Sequence, residues 1–251
     1  MDLENRYGTL PIQKELLKLL EEFDSFCGEK NIKYSLAGGS LLGAIRHDGI
    51  IPWDDDLDII ADRDNYNRLL QEIKKSDKFY LSRSIWIYRL CLKENANVKE
   101  TNRPTLDLFV FDNVPDSRLL NGIKLSLIRI LQGMMKKNPT YEKYSFIYKI
   151  CVFLTSFLGK LLPYNTKFNL YHSISQIGNG QKSKYVNCYN TMFVYLPLKY
   201  KNNLLKDLIR HRFDCIEVSI TAEYDHYLKN QYGDYMKMPK EEDRKPSHTN
   251  F

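Results

Sequence analysis

With 251 residues the chain has room for one large domain or two small ones. Its 43% hydrophobic and 27% charged residues describe a chain that buries a core, which excludes disorder over the whole length. A net charge of +6 suits a protein that handles phosphate-bearing molecules or touches anionic lipid. The lysines read as scattered, without an Arg-rich arm, zinc-finger spacing or an RNA-binding aromatic motif, so no nucleic-acid partner is expected.

Five cysteines at positions 27, 91, 151, 188 and 215 form no CxxC pair, so neither a zinc site nor a disulfide framework is indicated. Reduced thiols fit a cytoplasmic protein. The first ten residues hold neither a basic nor an apolar signal region, and no signal peptide is expected.

In chain order, residues 10–27 predict an amphipathic helix, with Leu16, Leu20, Phe23 and Cys27 on one stripe and Gly28 as its stop. Residues 32–37 read as a strand entering Gly38-Gly39-Ser40, and residues 41–46 as a short helix. The run 53–61, WDDDLDIIA, predicts a strand that starts acidic and ends apolar. Asp62 or Asp64 then caps a helix that buries Tyr66, Leu69, Leu70 and Ile73. Strands are expected at 79–81, 85–92 and 106–111. From 118 to 162 the pattern is helical and unusually apolar between lysines. Its longest uninterrupted apolar core falls short of the roughly 20 residues that span a bilayer. Two readings of that stretch stand: helices packed on the sheet, or a basic amphipathic surface resting on a membrane. Residues 178–184 read as a loop, 213–220 as a late strand, and Thr221 as the cap of a last helix ending at Gly233.

The run that carries chemistry is 38–59, GGSLLGAIRHDGIIPWDDDLDI. Gly38, Gly39 and Ser40 precede a helix, where exposed N–H groups and small residues admit a phosphate closely. Asp56 and Asp58 alternate in the expected strand, so both carboxylates point to one face, roughly 7 Å apart along the chain. Two carboxylates so placed repel unless a divalent cation joins them, and Mg²⁺ suits oxygen ligands and substrate phosphates. A calcium loop is the competing reading of Asp54, Asp56 and Asp58. It fails at Ile59, where that loop needs Gly, and at Asn65, where it needs Glu. Asp107, within the apolar run TLDLFVF, is costly to bury alone and is the candidate third carboxylate. A salt-bridged core aspartate is the alternative.

Taken whole, GGSLLGAIRH followed by IPWDDDLDI resembles the signature of the LicD family of phosphotransferases. LDLFVFD resembles its aspartate-bearing third strand. YLKNQYGDYMKMP with His248 resembles its C-terminal element. Val110 stands where that strand has proline, and Lys240 where the C-terminal element has a second proline. The resemblance implies an α/β (α+β) fold, a nucleotidyltransferase-like mixed sheet with flanking helices and a helical C-terminal part. It divides the chain into a catalytic core at 1–115, a helical insertion at 116–205 that faces membrane or acceptor, and a strand–helix element at 206–251 that closes the site. It further implies transfer of a phospho-alcohol, phosphocholine above all, from a CDP-activated donor to a sugar hydroxyl of a surface glycan or its lipid-linked precursor. On that reading Asp56, Asp58 and Asp107 hold Mg²⁺ or Mn²⁺, with Asp107 as third ligand or general base. Gly38, Gly39 and Ser40 cradle donor phosphates, and Arg46 and His47 neutralise phosphate charge. Trp53 lines the wall, Asp55 tunes the metal from behind, and Tyr232, Asp234 and His248 close the site. Two alternatives remain open on the same scaffold: transfer of the nucleotide itself, or a non-catalytic binding protein.

Overall fold

The computed structural model describes residues 6–136 and 146–246. In chain order its elements begin with α1 (Leu10–Glu29), β1 (Ser35–Leu36), α2 (Gly38–His47), β2 (Leu57–Asp62) and α3 (Arg63–Lys75). Then come β3 (Phe79–Ser84), β4 (Ile87–Leu92), β5 (Leu106–Asn113), α4 (Arg118–Met135), α5 (Phe146–Gly159) and α6 (Tyr164–Ser175). The last are β6 (Tyr185–Cys188), β7 (Tyr200–Lys201), β8 (Leu208–Phe213), β9 (Ile216–Thr221) and α7 (Tyr224–Tyr232). This mixed α/β chain separates into two compact units: residues 1–82, 88–110 and 203–251, and residues 83–87 and 111–202.

The first unit is built on strands in the order β1-β2-β5-β4-β3. Helix α1 buries its predicted stripe, Leu16, Leu20, Phe23 and Cys27, together with Leu19 and Phe26. Edge-to-face contacts of Phe23 with Tyr34 (5.0 Å between centroids) and Phe26 with Phe79 (5.2 Å) anchor that core. Asp62 caps α3 as predicted, accepting the N–H of Asn65 at 2.8 Å. Tyr66, Leu69 and Ile73 are buried beneath it.

Several boundaries differ from the sequence reading, for local reasons. The strand expected over 32–37 pairs only at Ser35 and Leu36, because Gly38 turns the chain at φ +50° straight into α2. Pairing in β2 starts at Leu57, not at Trp53, since residues 53–56 form a loop. The strand expected over 213–220 is a two-stranded hairpin, β8 paired antiparallel with β9 around Asp214, which adopts φ +53°. Glu223 precedes α7, and Thr221 accepts the Glu223 N–H while its own hydroxyl donates to Leu204 O.

In the second unit the last residues of β5 pair antiparallel with β6, and β6 with β7. Its core is unusually polar. Lys124 is fully buried, donating to the carbonyls of Asn113 (3.1 Å) and Ile177 (2.8 Å) with its ammonium over the Tyr189 ring. Gln132 donates to Tyr171 Oη and to Thr191 O, and Tyr171 in turn donates to Tyr189 O. Lys167 reaches Met134 O (3.2 Å) and Gly159 O (2.6 Å), satisfying end carbonyls of α4 and α5 together.

Candidate active site

The GGS run forms the opening turn of α2 instead of a loop ahead of it. Its N-cap position is Ala37, which has no side chain able to cap. The cap comes from the neighbouring strand: the Asp58 carboxylate receives the Gly39 N–H, at the positive end of the helix. Ser40 closes the exchange, its Oγ accepting the Asp58 N–H at 2.7 Å. Ala37 N–H donates to Asp58 O at 3.0 Å, so turn and strand hold one another. Gly38 lies directly under the Asp58 carboxylate at φ +50°, where a Cβ would drive into Oδ2. Gly38→Ala is therefore expected to lower unfolding free energy by at least about 1–2 kcal/mol for the left-handed backbone alone. A urea titration reads this directly; a wild-type midpoint would mean the turn relaxes freely.

The loop 53–56 is fixed from α1 and the residue before it. Gln13 Nε2 donates to Ile51 O at 3.0 Å and to Asp54 O at 2.9 Å, and Thr9 Oγ1 donates to Pro52 O at 2.6 Å. The loop's upstream end is held by the β8–β9 turn. Ile50 N–H donates to Asp214 Oδ2 at 2.9 Å, and Asp214 N–H donates to Asp48 O at 2.6 Å. So pinned, the loop brings Asp56 beside Asp58 of β2 and Asp107 of β5, with carboxylate oxygens of all three within 4.8 Å of one another. Asp54, Asp55 and Asp56 satisfy the same distance, so the acidic cluster continues along the loop. Asp55 and Asp107 are buried, and Asp56 and Asp58 partly so.

Burial first, and then the charges of Asp56, Asp107 and Asp54, push the Asp58 carboxyl well above the usual carboxylate range; the Gly39 N–H pulls weakly the other way. Asp58 keeps some surface open to solvent, yet crowding among protein atoms and like charges dominates. Asp107 is both things the sequence allowed. It belongs to the cluster, and it is ion-paired: Arg89, its register partner on β4, donates from Nε (2.8 Å) and Nη2 (3.1 Å) to its two oxygens. Burial works against the charged Arg89, but Asp107 more than offsets it and raises the guanidinium's proton affinity.

The remaining predicted residues lie around this centre. A Cβ on Gly39 would stand 2.8 Å from Asp54 Oδ2, so this glycine keeps helix and acidic loop close. Arg46, at the far end of α2, donates to Tyr235 O at 3.0 Å and Lys237 O at 3.4 Å, which ties the C-terminal segment to the helix. His47 meets Trp53 edge-on at 5.9 Å, and Arg244 lies over the Trp53 ring. Burial, Arg46 and Arg244 together lower the His47 proton affinity. Tyr232 ends α7 near Arg46, and its neighbour Asp234 is exposed. His248 lies outside the described residues.

Five contributors were not singled out from sequence: Thr9, Gln13, Arg89, Asp214 and Tyr227, whose hydroxyl accepts the Gly38 N–H at 3.3 Å. Arg89 left a trace there as a lone charge in an otherwise apolar expected strand, and Tyr227 as the first residue of the C-terminal run YLKNQYGDYMKMP.

In this mixed α/β chain, where carboxylates from two strands close on a helix start, residues 31–124 match the LicD/FKTN/FKRP nucleotidyltransferase domain. Over that segment the chain resembles the LicD family. It is similar to the lipopolysaccharide cholinephosphotransferase LicD of Haemophilus influenzae, 29% identical over 92% of each chain. It also resembles an uncharacterised protein of Rickettsia typhi, 27% identical over 74% of this chain and 65% of the relative. A third relative, from Rickettsia prowazekii, is 28% identical over 53% of this chain and 57% of its own.

Proposed function

We propose that this chain is a transferase that moves phosphocholine from a CDP-activated donor to a sugar hydroxyl of lipopolysaccharide or a similar surface glycan. A divalent cation, Mg²⁺ or Mn²⁺, is held by Asp56, Asp58 and Asp107. The observation that carries this reading is the cluster of those three carboxylates, within 4.8 Å of one another, at the N-terminus of α2. The near full-length similarity to a cholinephosphotransferase supports the choice of group transferred. The donor set fits a hard cation, being all oxygen and with one member whose proton affinity is raised mainly by burial and by its acidic neighbours. When bound, the cation supplies neutralisation of charge on the transferring phosphoryl group.

The acceptor's hydroxyl oxygen attacks the phosphorus that bears choline. The bond from that phosphorus to the bridging oxygen breaks, and CMP leaves with the electron pair. The hydroxyl proton passes to a carboxylate of the cluster. Asp107, with both oxygens engaged by Arg89, suits the role of ligand better than that of base. The Gly38–Ser40 turn, whose Gly38 and Gly39 N–H groups are taken by Tyr227 and Asp58, serves the donor by holding the Asp58 carboxylate at the positive end of α2. Arg46 and His47, about 12 Å along the axis of α2 from Gly38, neutralise phosphate charge on the donor. Trp53 lines the wall, and Asp55 supports the loop from its buried position. No helix among the described residues is long and apolar enough to cross a membrane. We place the enzyme in the cytoplasm, in peripheral contact with the inner face of the membrane.

Incubation with CDP-choline, Mg²⁺ and lipopolysaccharide should yield CMP and choline-bearing glycan in equal amounts, both abolished by EDTA. Pyrophosphate released from a nucleoside triphosphate would move the reaction to nucleotidyl transfer. No product and no thermal stabilisation by any CDP-alcohol would favour a binding protein.

A further inference from the structure

Helix α5 is inside out. Its large apolar residues Ile150, Phe153, Leu154, Phe157 and Leu158, continued by Leu161, recur at helical spacing and are each 44% exposed or more. The side turned to α4 is small or hydroxylic: a Cβ added at Gly133 of α4 would collide with Thr155, and one at Gly159 with Met134. Helix α4 repeats the pattern. Its core side is Asn121, Lys124, Ile128, Leu131, Gln132 and Met135, four of which are amides, a lysine or a methionine. Leu119, Ile123, Leu127 and Ile130 form a second, outward stripe. A water-soluble pair of helices sorts its side chains the other way round, and exposed apolar stripes of this extent mark a docking site.

Charge identifies what docks. Residues 117–202 contain thirteen lysines and arginines and a single acidic residue, Glu142, a net of +12. The rest of the +6 chain therefore carries −6. The lysines are indeed spread along the sequence; it is the acids that are banded, and this segment nearly lacks them. Lys149 and Lys160 flank the α5 stripe, and Arg118 and Arg129 are exposed on α4. A second copy applied through this face would oppose two like-charged units, whereas an anionic bilayer complements both the charge and the apolar stripe.

We propose that the α4–α5 face of the second unit lies on an anionic lipid bilayer, its leucines and phenylalanines inserted at the headgroup boundary and its lysines and arginines on the phosphates. The recognition is of lipid itself and stands whether or not transfer to a glycan occurs.

The test is co-sedimentation of the full chain with glycan-free vesicles of phosphatidylcholine alone or mixed with phosphatidylglycerol. Binding is expected on the mixed vesicles only, with release as salt is raised. Phe153→Ser with Phe157→Ser should lower the partition coefficient at least about tenfold, because both rings leave the interface. Lys149→Glu with Lys160→Glu should lower it about as much. Both pairs are exposed or partly exposed, so unchanged circular dichroism and melting will mark an intact fold. Failure to sediment with mixed vesicles at low salt would overturn the proposal. So would binding that survives both double variants, or a wild-type dimer that the phenylalanine variant converts to monomer.

Discussion

Asp58→Asn is expected to stop the proposed phosphocholine transfer and, in the same protein, to raise the melting temperature of the metal-free form. The side chain's volume is kept, and an amide oxygen still accepts the Gly39 N–H at the start of α2. What is lost is a charge crowded by burial and by Asp56, Asp107 and Asp54. Because the folded-state proton affinity of this carboxyl lies above its ordinary value, the native state holds a proton that the unfolded chain releases. The stability of metal-free wild type therefore falls as pH rises from the ordinary carboxylate value towards the raised one, and above that the penalty is complete. In the variant this component of the slope disappears. In a chain of this size each kcal/mol relieved appears as about 2–4 °C in melting temperature. Added Mg²⁺ should reverse the order, stabilising wild type by ligand binding and leaving the variant nearly indifferent. Turnover should drop by about 10²–10³-fold or more, the scale seen when one electrostatic contributor to a transition state is removed. Melting curves across pH, with and without Mg²⁺, together with a CMP-release assay decide the matter. A variant that transfers within a few-fold of wild type would take Asp58 out of the chemistry.

Arg89→Gln should do the opposite to stability. The Arg89 side chain is 17% exposed and that of Asp107 7%, so this pair is largely withdrawn from water. Deleting the cation leaves Asp107 buried beside Asp56 and Asp58 without its bidentate partner, a loss of about 3–5 kcal/mol. At about 2–4 °C per kcal/mol, melting should fall on the order of 10 °C in metal-free buffer. Mg²⁺ should then restore more stability to the variant than it adds to wild type, because the cation takes over part of the neutralisation that the guanidinium gave. Asp107→Asn placed on top of Arg89→Gln should recover stability while removing the response to Mg²⁺. Equal metal responses in wild type and Arg89→Gln would show that Asp107 answers only to arginine and belongs to the core.

Much of the first unit was legible in the sequence because its signals are local. The stripe of α1 follows 3.6-residue periodicity, and Asp62 lies three residues before the N–H it caps. The acidic loop and β2 are contiguous, so Asp56 and Asp58 could be paired from spacing alone. Asp107 was found because a carboxylate in an apolar strand demands a partner. The partner itself was hidden: Arg89 faces Asp107 only through strand register, which depends on the length of the intervening turns. Gln13, Asp214 and Tyr227 were hidden for the same reason, each acting on backbone groups far away in sequence. Alternation misled at Trp53–Asp56, where a loop tied down by Gln13 and Thr9 takes the place of pairing. The near absence of acids between 117 and 202 was readable throughout, but a count of lysines does not reveal it.

The pins on the acidic loop have a temporal consequence. Gly38 is met by Tyr227, Ser35 Oγ accepts the Thr221 N–H, and Ile50 leans on Asp214. During synthesis the ribosome delivers the carboxylates early, then the whole α4–α5 segment, and only afterwards the hairpin and α7 that hold the loop in place. Until those last elements emerge, Asp54, Asp55, Asp56 and Asp58 are braced only from the earlier part of the chain, through Thr9, Gln13 and Ser40, while the cationic helices are already outside the exit tunnel. The full set of ties on the acidic loop is thus completed last, after the cationic helices have emerged.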